Sequence, residues 1–163
     1  LGGELSVIHK EVKIMATIHA YLKFPGNAEK ALTFYQRVFD GEFLAVQRFK
    51  DNPDIAEKLS EQDKEKILFM VLTIGHGTTL MASDVLEPKG HPLTSGNNYY
   101  AYVGADTHQE GERIFNKLSE GGEVETPFQK TDWGAFFGAL KDKYGIPWMI
   151  NYQEALGPLK SKP

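Results

Sequence analysis

The sequence predicts an α+β fold made of two βαβββ modules whose curved mixed sheets enclose a cleft. Three observations predict it. The stretch Ala16 to Gly41, a strand-like run followed by a helix-like one, returns at an offset of 80 residues: Asn27 falls on Thr107, Ala31 on Gly111, Tyr35 on Phe115, Val38 on Leu118 and Gly41 on Gly121. At that offset the strand-like runs 16–24 and 96–104 also coincide. Further along the offset shrinks to 68, where Phe69 meets Phe137, Gly77 meets Gly145, Leu80 meets Trp148 and Met81 meets Met149. The charge-rich stretch 50–65 accounts for the difference, because the second half has no counterpart to it. Repeats of this length are structural units that cannot bury an apolar face alone.

Along the chain, Thr17 to Phe24 alternates with period two, Ile18, Ala20, Leu22 and Phe24 on one side and His19, Tyr21 and Lys23 on the other, which specifies a strand with two different faces. Pro25-Gly26 breaks it, and Asn27 is placed to cap the next helix. Ala28, Ala31, Leu32, Phe34, Tyr35, Val38 and Phe39 then form an apolar stripe of helical period, expected to cover the Ile18/Leu22 face. Asp40-Gly41 ends it, and Phe43 to Phe49 reads as a strand. Residues 50–65 read as a solvated insertion with about one helical turn. Ile67 to Ile74 and Thr78 to Ser83 are strands joined by Gly75-His76-Gly77, and Val85 to Gly96 is a crossing loop.

The second unit restarts with the tyrosine-rich strand Asn98 to Val103. Thr107 and Glu110 form a capping box ahead of Gly111, Ile114, Phe115 and Leu118. Gly121-Gly122 stops this helix, and strands follow near 123–126, 135–140 and 147–152. In each unit a helix covers one sheet face and leaves the other bare. Two bare apolar faces closing on each other would form a cleft, within a chain or across a dimer. The expected organisation is a leader remnant at 1–14, with Met15 as a natural start or 5–14 as an extra strand, then modules at 15–95 and 96–153 and a polar tail at 154–163.

Composition narrows the functional classes. The chain of 163 residues is 41% hydrophobic, 25% charged and 12% aromatic, as in ordinary globular domains. A net charge of −4 provides no basic footprint for nucleic acid, and the absence of cysteine removes disulfides and thiolate ligands. No apolar run has the roughly 18 residues needed to cross a bilayer, so a cytoplasmic protein with no membrane partner is expected. Walker-type loops, nucleophile elbows and HExxH are not present. His76 at a hairpin tip, His91 in a loop and His108 in a first helical turn have no convincing metal spacing.

Specific motifs then narrow the fold. The pattern F-x-G-N-x-E-x-A-x-x-F-Y fits Phe24, Gly26, Asn27, Glu29, Ala31, Phe34 and Tyr35. W-x-x-x-F-G fits Trp133, Phe137 and Gly138, and D-x-Y-G-x-x-W-M-I-N runs from Asp142 through Tyr144, Gly145, Trp148, Met149 and Ile150 to Asn151. M-x-S-D is met by Met81, Ser83 and Asp84. Over residues 16–152 the chain therefore resembles PhnB-like members of the vicinal oxygen chelate superfamily, which includes glyoxalase I, bleomycin-resistance proteins and extradiol dioxygenases. Labels in this family point to phosphonate metabolism and ubiquinone methylation, and no loop for a methyl donor is legible.

The resemblance implies a homodimer and a site on the first and fourth strands of each module. In metal-dependent members these strands carry four ligands, whose positions here are His19, Met81, Tyr99 and Met149. One imidazole, two thioethers and a phenol make a poor set for a hard or borderline cation, so no metal and no cofactor are expected. A metal-free cleft for a small apolar or aromatic molecule follows, lined by His19, Tyr21, Met81, Ser83, Tyr99, Trp133, Phe137, Met149 and Asn151. His19 is also a candidate acid–base residue, with Asp84 as a second. Each has a structural counter-reading: a bonded histidine, core tyrosines, methionine filler, an aspartate turn cap. The alternative function is an enzyme using His19-centred acid–base chemistry, or a divalent-metal isomerase or lyase.

Overall fold

The computed structural model describes residues 16–75, 77–86 and 92–154; the expectations for 1–14, the tail beyond Glu154, His76 and His91 lie outside them. The first module comprises β1 (Ala20–Phe24), α1 (Ala28–Phe39), β2 (Glu42–Arg48), β3 (Ile67–Ile74) and β4 (Thr78–Asp84), in the sheet order β1-β4-β3-β2. Between β2 and β3, a 3₁₀ turn at Phe49–Asp51 and two one-turn helices, α2 (Pro53–Ala56) and α3 (Glu61–Lys64), replace the single turn expected. The second module repeats the plan with β5 (Ala101–Gly104), α4 (His108–Ser119), β6 (Glu123–Lys130), β7 (Ala135–Lys141) and β8 (Pro147–Gln153), in the order β5-β8-β7-β6. First and fourth strands pair in parallel and all other neighbours antiparallel. The α+β class and the doubled βαβββ plan are as the sequence predicts.

Each helix buries its apolar stripe on one sheet face. Ala28, Ala31, Leu32, Tyr35 and Val38 of α1 meet Met70, Leu72, Leu80 and Ala82, while Ile114, Phe115 and Leu118 of α4 meet Leu140, Trp148 and Ile150. Burying a side chain of this size stabilises by about 1.5–3 kcal/mol relative to leaving it in water. Ile18 stands outside this layer. It precedes the first paired residue and is 97% exposed, contrary to its assignment under the helix.

The two helix layers merge into one core. Tyr35 and Phe39 of α1 pack their rings on Trp148 of β8, with centroids 5.3 and 5.6 Å away. Arg113 of α4 donates to the carbonyl of Val38 at 2.9 Å. At the centre Asp142, which is buried, accepts from the Tyr35 hydroxyl (2.6 Å), the Trp148 indole N–H (2.8 Å) and the amides of Tyr144 and Ile146 (2.8 and 3.0 Å). Four donors satisfy a carboxylate that would otherwise be costly to bury. Because the modules meet through their helix-covered sides, their bare sheet faces look outward within one chain.

The pairing register corrects the repeat offset. Tyr21 stands opposite Met81 and Tyr102 opposite Met149, so the first strands are related by 81 residues (21 to 102) and not by 80. The turn before α4 is one residue shorter and the end of α4 one longer. Asp40, at φ 51°, therefore has Gly121 as its counterpart, at φ 73°, and Gly41 corresponds to Gly122. Those two glycines are required. A Cβ would lie 2.2 Å from the Thr73 carbonyl oxygen at Gly41 and 2.3 Å from that of Lys141 at Gly122.

Candidate functional site

On the bare face of the first sheet, Tyr21 of β1, Met81 of β4 and Val71 of β3 stand in one row. The Tyr21 ring stacks near Phe69 at 6.3 Å. Ser83, paired with Lys23, is buried at one end. His19 lies just before β1; its Nδ1 is buried and has no hydrogen-bond partner among the described residues. An imidazole nitrogen left in that state costs about 1–3 kcal/mol.

On the second sheet the equivalent row is Tyr102, Met149 and Ala139, with Gly104, Asn151 and Phe137 in the next. Tyr102 is 64% exposed. The corrected register makes Tyr100, not Tyr99, the counterpart of His19, because a one-residue slip sends every strand side chain to the opposite face. Tyr99 instead lies close enough to Tyr35, on the helix side, to act on its ionisation. Tyr100 donates its hydroxyl to Glu125 Oε2 at 2.6 Å, a bond that raises its pKa. Trp133, at the tip of the β6–β7 hairpin, is 69% exposed.

Asp84 is not available as a base. Its Oδ1 accepts from the amides of Gly26 (3.0 Å) and Ala28 (2.9 Å), and its Oδ2 accepts from that of Ile67 (2.9 Å). It thereby takes the capping role expected of Asn27, whose side chain makes no cap bond and whose Oδ1 is buried without a partner among the described residues. Thr107 does cap α4, accepting from the Glu110 amide at 3.1 Å, while the Glu110 carboxylate reaches past it to the amide of Asp106.

The donor set does not fit a divalent cation. At the four positions the fold offers, His19, Met81, Tyr100 and Met149, only His19 brings a strong ligand, and two neutral thioethers suit soft ions. No cluster of three His, Asp or Glu side chains occurs among the described residues. A cleft of about 340 Å3 opens at the seam of the modules along β5, lined by Phe39, Ile74, Val103, Ile114, Glu110 and Arg113, and Tyr102 of the bare-face row borders it as well. None of the candidate site residues named from the sequence lines it.

With this geometry in hand, the kinship is decisive. The family described as 3-demethylubiquinone-9 3-methyltransferase matches residues 16–151. The chain belongs to this PhnB-like family. It is 34% identical over 137 residues to Protein YjdN of Escherichia coli, covering 80% of this chain and 91% of that one. Protein PA1353 from Pseudomonas aeruginosa is 33% identical with a TM-score of 0.75, covering 85% of this chain and 98% of its own. A PhnB protein from Bacillus cereus, titled a putative 3-demethylubiquinone-9 3-methyltransferase, is 26% identical with a TM-score of 0.69, covering 84% and 99%. A glyoxylase/bleomycin resistance protein/dioxygenase domain from Frankia, 11% identical with a TM-score of 0.60, shares the fold alone.

Four features of this site were missed in the sequence. Tyr100 and Tyr102 were hidden because Tyr99, Tyr100 and Tyr102 put an aromatic on either face whichever register is chosen. Glu125 sits in a bulge, where alternation fails. Phe69 stands out in the sequence only as a repeat match to Phe137, which assigns it no face.

Proposed function

We propose that the chain is a small-molecule binding protein whose site forms when the bare sheet faces of two copies meet in a homodimer. One observation carries this reading: both modules leave an aromatic and methionine face uncovered, Tyr21, Phe69 and Met81 on one and Tyr102, Phe137 and Met149 on the other, while their helix sides are used up against each other. Methionines adapt to varied shapes and tyrosines combine a ring surface with a polar tip, which suits a flat apolar ligand. The ring of a quinone precursor, named in the family's description, is of that kind. His19 and Asn151 supply hydrogen bonds at the edges, and Trp133 closes one end. A cytoplasmic location and metal-independent binding complete the reading.

Sedimentation of the full chain, with thermal-shift screening against flat aromatic compounds before and after EDTA dialysis, tests it. A dimer stabilised equally in both states is expected. A monomer that no compound stabilises, or stoichiometric metal by elemental analysis, would remove the proposal. A second reading rests on the buried Nδ1 of His19, which has no partner among the described residues and would serve as the proton acceptor for a substrate that reaches it. Once a turnover is found, His19→Gln should lower kcat with KM nearly unchanged; an unaltered kcat rejects the acid–base role.

A further inference from the structure

The hydrogen bond between Tyr100 and Glu125 joins the two edges of the second sheet. Tyr100 leads into β5, and Glu125 belongs to β6. These are the outermost strands of the order β5-β8-β7-β6, so about 14 Å of sheet separates them at the usual strand spacing. The bond must therefore cross β8 and β7 over one face. The helix face is filled by Leu140, Trp148, Ile150 and Phe115, which leaves the bare face carrying Met149.

A bulge aims the carboxylate there. The β6–β7 ladder shifts register between Val124 and Thr126, leaving Glu125 as the extra residue. The first module has the same irregularity at the equivalent place, between Phe43 and Ala45, where the extra residue is Leu44. Bulges re-aim a side chain beside functional sites. The pair His19 and Leu44 in one module thus becomes Tyr100 and Glu125 in the other. Among the described residues Glu125 forms no ion pair, and its bond to the Tyr100 hydroxyl is open to solvent, where a ligand can reach it.

We infer that Glu125 anchors the ligand of this site through a cationic or strongly hydrogen-bond-donating group, and that the Tyr100 hydroxyl holds the place of that group until it arrives. The ligand class is then a flat apolar body with an amine or similar donor. This rests on the small-molecule reading above, and the two can fail separately.

Three naphthalene probes of one shape separate them by calorimetry on the full chain at pH 7: 2-naphthylmethylamine, 2-naphthalenemethanol and 2-naphthoate. The amine should bind tightest and the carboxylate weakest. Glu125→Gln should weaken the amine about tenfold and leave the alcohol within twofold, since a charge-assisted bond becomes a neutral one. Tyr100→Phe should tighten the amine two- to fivefold by removing the internal competitor. Equal loss of amine and alcohol in Glu125→Gln, an amine affinity unmoved by it, or preference for the carboxylate overturns the anchor while sparing the binding site. Failure of all three probes with both variants folded overturns both.

Discussion

In the first module the amides that open α1 are held by Asp84, a residue more than fifty positions away at the end of β4. In the second, α4 is opened by Thr107, its own neighbour. The same helix position is thus satisfied tertiarily in one half and locally in the other. A local cap forms with the helix, whereas Asp84 can act only after β4 has docked beside β1 and β3. The difference teaches that the halves, alike in outline, depend on their sheets to different degrees, and that α1 is the one whose start is tied to complete sheet formation.

Substitutions can break this comparison, and the largest effect is expected at the point where the halves meet. Asp142→Ala leaves the Tyr35 hydroxyl, the Trp148 indole and two amides without their acceptor, and should cost about 3–5 kcal/mol in urea unfolding. A loss below 1 kcal/mol would mean that water replaces the carboxylate. Next, Asp84→Ala should cost about 2–3 kcal/mol and Thr107→Ala about 1 kcal/mol, because three amides, two of them buried, bond a carboxylate in the first case and one exposed amide bonds a hydroxyl in the second. Equal losses would erase the distinction between tertiary and local caps.

A pH experiment sharpens it further. Burial, and after it the Asp142 carboxylate, holds the Tyr35 phenol well above its ordinary value. In the unfolded chain that phenol ionises near pH 10, so above about pH 10 the unfolded state binds fewer protons than the native one and stability falls, by up to about 1.4 kcal/mol per pH unit. Below that range the contribution is fully present. Tyr35→Phe lacks the group, so the stability gap between wild type and variant should narrow as pH is raised from 9.5 to 11.5; a constant gap would contradict the buried bond. The smallest effect belongs to Asp40→Gly. Its left-handed backbone is occupied by Gly121 in the other module, and the exchange should stabilise by a few tenths to about 1 kcal/mol in the same assay.

Much of this architecture was legible in the sequence because it is written in local periods. The alternation of Thr17 to Phe24, the 28-31-32-35-38 stripe and the stops Asp40-Gly41 and Gly121-Gly122 specify strands, helices and ends without reference to anything distant. What was not legible depends on residues that meet only after folding. Asp84 displaced Asn27 as a cap because its carboxylate arrives from another strand. The helix offset points to Tyr99 where the strands bring Tyr100, because the turn before α4 is one residue shorter in the second module. The outward direction of the bare faces follows from Tyr35 and Trp148 sharing Asp142, which no periodicity records. Residues such as Tyr21, Met81 and Met149 were placed on the bare faces correctly because their strands alternate; Glu125 was not, because its strand bulges.

A single carboxylate that receives a phenol from one half and an indole from the other has a consequence for how the chain can be cut. Neither half could stand alone without stranding one donor or its acceptor, so the joint makes separation costly. The outer surfaces carry no such tie, and there the halves differ, histidine beside leucine on one and tyrosine beside glutamate on the other.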